Sequence, residues 1–157
     1  MMNIEENLKK HNILIPTPAK PVANYSPYTI SKDLIFISGQ IPIQDGNIIY
    51  KGKVNKELSI NDSVKAAELC MLNSFAILIN AVGNNLKQIK KCIKINVFIN
   101  SDSSFIDQPK VADGASNLIS KIMEPDNAHA RSAISVNSLP KDAAIEIDTI
   151  FEINLDK

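Results

Sequence analysis

An α+β domain with helices laid on one face of a sheet is the fold class this sequence predicts, and three observations carry the prediction. Two long segments, Ser59 to Gly83 and Asp107 to Ile122, keep apolar residues at helical spacing. Several other segments alternate apolar and polar residues with a period of two, as half-buried strands do. In order, the elements read α, β-β-β, α, β, α, β-β, which argues for helices gathered on one side of a sheet.

Each element has a local cause. Asn3 is placed to cap a short helix through about His11, with Glu5 and Glu6 in its first turn and Ile4 and Leu8 stacked at i, i+4. "PTPAKP" (Pro16 to Pro21) cannot continue that helix and reads as an extended strap. Residues 1–20 thus form an N-terminal segment and residues 21–157 one domain. In "YTISKDLIFISGQ" two β-rich runs flank the polar pair Lys32-Asp33, a hairpin pattern. "QDGN" (Gln44 to Asn47) marks a second turn before the short strand "IIYKG". Ser59-x-x-Asp62 resembles a capping box, and Gly83 fits the position just past the end of the first long helix. That helix carries a broad apolar face through Val64, Ala67, Leu69, Met71, Leu72, Phe75, Leu78, Ile79 and Val82.

A strand follows in which Ile93, Ile95, Val97 and Ile99 alternate with Cys92, Lys94, Asn96 and Phe98. Asp107 and Pro109 suit the start of the second long helix, with Val111, Ala115, Leu118, Ile119 and Ile122 on its apolar face. Two strands, around Ala128–Val136 and Ala144–Asn154, complete the domain. In the last strand Ile145, Ile147, Phe151 and Ile153 share one side, while Glu146, Asp148 and Glu152 share the other with Ile150. One face is core, and the other is polar enough to meet solvent, a partner subunit or a ligand.

Bulk properties exclude several function classes. The 157 residues are 45% hydrophobic and 22% charged, near globular averages, and the formal net charge is zero. A neutral chain exerts no overall pull on nucleic acid or anionic membrane. "LKQIKKCIK" is the only basic cluster, and no aromatic residue interleaves it for base stacking, so no nucleic-acid partner is expected. No apolar run approaches the roughly 20 residues a membrane helix needs, and "MMNIEENLKK" lacks the apolar centre of a signal peptide. Cys70 and Cys92 stand apart, which suits reduced thiols in a cytoplasmic protein, and two histidines with two cysteines at these spacings make no metal site.

Arg131 is the only arginine among 17 basic residues. A lysine offers a mobile point charge, whereas a guanidinium offers a planar fork that grips a carboxylate through two parallel hydrogen bonds. Arg131 is therefore a candidate carboxylate clamp; the other reading pairs it with Glu146 or Asp148 across the sheet. His129, two residues earlier in the strand, points to the same face and is a candidate proton shuttle or ligand contact; the other reading makes it a rim residue. Glu146 lies in an apolar-alternating strand, where desolvation would raise its pKa and a neighbouring Arg131 would lower it. Gly39 beside Ser38 suits a close backbone approach, and "DGAS" (Asp113 to Ser116) puts Gly114 where close packing justifies it, a cleft role for the segment being the lesser reading.

"SPYTI", "ISGQIPI", the long helix ending at Gly83, "NVFIN", "HARSAISV" and "LPKDAAIEIDTIF" occur in the order found in the Rid/YjgF family, which this chain resembles from about Pro21 to Asn154. That family is also called endoribonuclease L-PSP or reactive intermediate deaminase, and the N-terminal helix and "FIDQPKVADGASNLI" look like a longer branch of it. The resemblance implies a chorismate-mutase-like subunit, a mixed sheet with two long helices on one face, and assembly into a trimeric barrel with ligand clefts between subunits. It also implies hydrolysis of 2-aminoacrylate-type imines to 2-oxo acids and ammonia without a metal or organic cofactor. Arg131 falls on the family arginine that binds the substrate carboxylate, and Glu146 on the glutamate that positions water. Tyr28 and Ser38, with Gly39 beside the serine, fall on the cleft tyrosine and serine. The chain departs from the family in carrying Ala133 where many deaminases have a cysteine, and His129 where they have proline.

Overall fold

Caps and turns set the limits of the elements. The computed structural model describes residues 3–18, 25–125 and 128–154. The strap beyond Pro18 and the boundary at residues 20 and 21 lie outside the described residues. Helix α1 (Ile4–Lys10) starts at Asn3, whose side chain accepts from the Glu6 amide at 3.3 Å. Strands β1 (Tyr28–Ser31) and β2 (Leu34–Gln40) form the expected hairpin, with Lys32 in the left-handed region at φ 54°. Strands β3 (Ile43–Gln44) and β4 (Asn47–Ile48) form a second hairpin. Asp45 and Gly46 both have positive φ there, the backbone that a two-residue turn between twisted strands requires.

Helix α2 (Ile60–Ala81) opens at Ser59, whose Oγ accepts from the Asp62 amide at 3.0 Å. It ends in a Schellman motif: Gly83 N–H donates to Asn80 O and Asn84 N–H to Ile79 O. Strand β5 (Ile89–Asn100), helix α3 (Gln108–Ile122), strand β6 (Ala130–Val136) and strand β7 (Ile145–Ile153) follow. The five-stranded sheet has the order β1-β2-β7-β5-β6, antiparallel except where β5 and β6 run parallel. The expected mixed sheet is present, with β6 at one edge.

Two sequence expectations need correction. In β5 the buried residue is Cys92, not Ile93, because the ladder to β7 slips between Cys92 and Lys94 and inserts Ile93 as an extra residue. In α2 the expected Ala67, Met71, Phe75 and Leu78 are buried, but Val64, Leu69, Leu72 and Ile79 are only half-buried, and Cys70, Asn73, Ser74 and Ile77 join the buried face. Polar residues enter that face because the sheet satisfies them. Ser74 and Thr149 share a hydroxyl hydrogen bond of 2.7 Å, and Asn73 donates to the carbonyls of Ile41 and Ile43.

By length and composition alone α2 is long and apolar enough to cross a membrane, contrary to the reading that no apolar run approaches that length. Its polar partners on the sheet, however, are those of a core helix. Phe75 of α2 meets Phe151 of β7 with ring centroids 5.4 Å apart, tilted at 57°, a geometry that adds about 0.5–1.5 kcal/mol beyond burial.

Helix α1 belongs to the same body. Ile4 is buried in the core, and the Asn7 amide donates to the carbonyls of Ile122 and Glu124 at the end of α3. Lys10 and His11 both reach the Glu124 carboxylate, at 2.7 and 2.9 Å.

Candidate functional site

The sequence-predicted residues fall into two groups on opposite faces of the sheet. Glu146 anchors the first. It follows the buried Ile145 and precedes the buried Ile147, so its side chain emerges on the face away from the helices. The ladder between β2 and β7 slips between Ile37 and Gln40, so Ser38 and Gly39 bulge beside Glu146. A Cβ on Gly39 would overlap Oε1 of Glu146, so the close approach expected of this glycine is made to a carboxylate. Burial raises the Glu146 pKa above its ordinary value, and the charge of Asp148 adds to the rise. Among the described residues nothing donates a hydrogen bond to this carboxylate, whereas Asp148 receives one from Asn96 at 2.7 Å. Half-desolvated and lacking a donor, Glu146 is held in the condition of a base.

Ser38 stands beside Glu146, but Tyr28, expected at the same cleft, does not: its partner Ile37 is buried toward the helices, so its ring lies on the opposite face. The Ser38 hydroxyl donates to Ser26 O at 2.8 Å, and its amide donates to Pro27 O at 3.0 Å. Tyr28 pairs in register with Ile37 and packs its half-buried ring against the core.

Arg131 anchors the second group, on the helix side of edge strand β6. Its Nη1 donates to Asp113 Oδ1 at 2.8 Å and to Ser116 Oγ at 3.1 Å, both from α3. The cross-sheet pairing with Glu146 or Asp148 therefore does not form: Arg131 faces α3, and those two carboxylates face the other way. Among the described residues Nη2 and Nε of Arg131 have no partner, and the side chain keeps 26% of its accessible surface. Those two nitrogens form the side edge of the guanidinium, a fork for a carboxylate. His129 meets Ser116 Oγ through Nε2 at 3.0 Å, so one hydroxyl lies between the arginine and the histidine.

The sequence singled out the segment Asp113 to Ser116 chiefly for packing, and the structure gives Asp113 and Ser116 a place beside Arg131 as well. Their signal was the i, i+3 spacing around Gly114, which puts both on one side of α3. Gly114 itself is explained by packing, because a Cβ there would overlap the carbonyl oxygen of Val64 in α2.

Within one chain the two groups do not converge. Arg131 pairs with Ile95 of β5, which pairs with Thr149, whereas Glu146 pairs with Phe98, which pairs with Ile134. Two strand spacings and three residues of rise separate Arg131 from Glu146 by about 14 Å between Cα atoms, with the sheet between their side chains. Around Glu146 the exposed face carries Phe36 and Ile134, exposed, with Phe98 and Ile150 half-buried. Among the described residues no group of three or more metal-binding side chains occurs.

A mixed sheet backed by two long helices, with a bulge against one strand carboxylate and an arginine on the edge strand, defines a chorismate-mutase-like α+β domain. The family model described as "YjgF/chorismate_mutase-like, putative endoribonuclease" matches residues 5–151, and the chain belongs to that family. Protein TCP17 of Trypanosoma cruzi is 36% identical over 152 residues, covering 96% of this chain and 94% of that protein. The solved structure of Atu1372 from Agrobacterium tumefaciens, a protein of unknown function, is 39% identical with a TM-score of 0.88, covering 96% of this chain and 92% of that one. Escherichia coli TdcF, solved with bound serine, is 25% identical with a TM-score of 0.61, covering 89% of this chain and 94% of that one.

Proposed function

We propose that this protein is a homotrimer that hydrolyses small carboxylate-bearing imines and enamines to 2-oxo acids and ammonia in clefts between subunits. The observation that carries this reading is the open Nη2/Nε edge of Arg131, braced from behind and presented on the edge strand. A carboxylate seated there is fixed in its plane, and such charge-assisted bonds are worth about 1.5–3 kcal/mol each. Glu146 of a neighbouring copy supplies the base. It takes a proton from water as the oxygen adds to the iminium carbon, gives that proton to the nitrogen, and takes the carbinol O–H proton as ammonia leaves and the C=O bond forms. Its raised pKa favours that role, because a carboxylate with an ordinary pKa is a weak base at neutral pH. Ser38 and Gly39 line the glutamate side of the cleft, and His129 the arginine side, while Tyr28 packs against the core of its own subunit. The apolar residues on the bare sheet face, Phe36, Phe98, Ile134 and Ile150, are the surface that trimer assembly would cover. The reaction needs no metal or organic cofactor, because an iminium carbon is already electrophilic. Buried thiols at Cys70 and Cys92 suit the reducing cytoplasm.

A second reading, a trimer that binds small carboxylates without turning them over, is favoured by the serine bound in TdcF. RNA cleavage is a weaker third, since the lysine cluster Lys87 to Lys94 lies outside both groups and offers no aromatic platform. The test is to generate 2-aminoacrylate in situ from serine with a dehydratase and follow pyruvate and ammonia. Acceleration that disappears in Arg131→Ala supports the hydrolase. Serine or 2-oxobutanoate binding without acceleration selects the binding protein. RNA cleavage abolished by Glu146→Ala selects the nuclease.

A further inference from the structure

Arg131 is embedded in a relay that runs Asp113–Arg131–Ser116–His129. A guanidinium has five N–H donors in fixed directions. Asp113 and Ser116 engage Nη1 alone, so they lock the plane of the fork and leave its Nε/Nη2 edge free. They also change its charge. Asp113 offsets the charge of Arg131, so the pair attracts a carboxylate by hydrogen-bond geometry rather than by net positive field. Only Oδ1 of Asp113 is engaged among the described residues, and Oδ2 has no partner there, on a side chain that keeps 53% of its surface.

We infer that Asp113 and Ser116 are positioning residues for Arg131, and that Asp113 tunes the cleft to acids bearing one carboxylate with a cationic nitrogen beside it. The inference rests on the reading of Arg131 as the carboxylate clamp. A single carboxylate occupies the two free donors, and the adjacent ammonium or iminium meets the free oxygen of Asp113. A plain carboxylic acid gains the first contact only, and a dianion meets Asp113 as a like charge. Ser116 has a different part: its hydroxyl accepts from Nη1 and also contacts His129, so it steadies the fork without touching ligand charge.

Serine and 3-hydroxypropanoate differ by the α-amino group and serve as matched probes, titrated against the full chain by calorimetry or NMR. The wild type is expected to bind serine about tenfold more tightly. Asp113→Asn is expected to remove that preference, weakening serine about tenfold while 3-hydroxypropanoate stays within about twofold. Ser116→Ala weakens both probes alike, and Asp113→Glu, which keeps the charge, retains the preference and guards against a folding artefact. Equal loss of both probes in Asp113→Asn would reduce Asp113 to a structural brace and overturn the specificity assignment. A wild type that binds neither probe removes the clamp reading itself, and this inference with it.

Discussion

Gly39 lies directly beneath the Glu146 carboxylate, so close that a methyl group at residue 39 would take the place of Oε1. The bulge that interrupts pairing between Ile37 and Gln40 makes this approach possible, and it converts a backbone irregularity into a seat for one acid group.

Gly39→Ala is therefore expected to displace the carboxylate while leaving the fold intact, because the displaced atoms are the far end of a flexible side chain. Imine hydrolysis should fall at least about tenfold, equivalent to about 1.4 kcal/mol of transition-state stabilisation. Unfolding stability should change by less than about 1 kcal/mol. Urea melts alongside steady-state rates check both halves of the prediction.

Glu146 also sets a pH signature. Its folded pKa is raised by burial and by Asp148, so the native state holds the proton more tightly than the unfolded chain does. The glutamate consequently destabilises the fold as pH rises through the ordinary carboxyl range toward the raised value, and the loss is complete above it. Glu146→Gln should melt higher than the parent at pH 8, with the gap closing below pH 4. An offset independent of pH would contradict the desolvated carboxylate.

Gly114→Ala should destabilise by about 1–3 kcal/mol, the usual effect of forcing volume into a packed contact. Alanine favours helix by about 1 kcal/mol over glycine, so the sign of the measured change separates packing from propensity. The obstruction is backbone, Val64 O, and it yields only if α2 and α3 move apart.

Both thiols are buried, and burial pushes Cys92 up to about 12 and Cys70 well above its ordinary value. Neither should react with a disulfide reagent at pH 8 in the native protein, and both should react at once in denaturant. A fast native phase would show that the helix layer opens.

Much of the fold was legible because its signals are local. Asn3, Ser59 and Gly83 end or start helices by contacts within one turn, and Lys32 and Asp45-Gly46 bend the chain within two residues. The slip at Ile93 was not legible, since strict alternation in sequence says nothing of an extra residue set by the partner strand. The buried face of α2 was legible at Ala67, Met71, Phe75 and Leu78 but not at Asn73 and Ser74, which count as polar until Ile41, Ile43 and Thr149 satisfy them. Arg131 and Glu146 could be singled out by residue type and by family motif. Their separation could not, because it depends on β5 lying between β6 and β7. The partnership of Arg131 with Asp113 likewise spans 18 residues and exists only once α3 packs near β6.

The central claim is that Arg131 of one copy and Glu146 of another complete a single cleft. Subunit mixing tests it most directly. Arg131→Ala and Glu146→Ala chains, each inactive alone, are co-expressed with different tags, and trimers carrying both tags are isolated. In a cyclic trimer one cleft in about three then pairs an intact arginine with an intact glutamate, so about one third of the wild-type imine hydrolysis should return. Mixed trimers as inactive as either parent would contradict a cleft shared in this way.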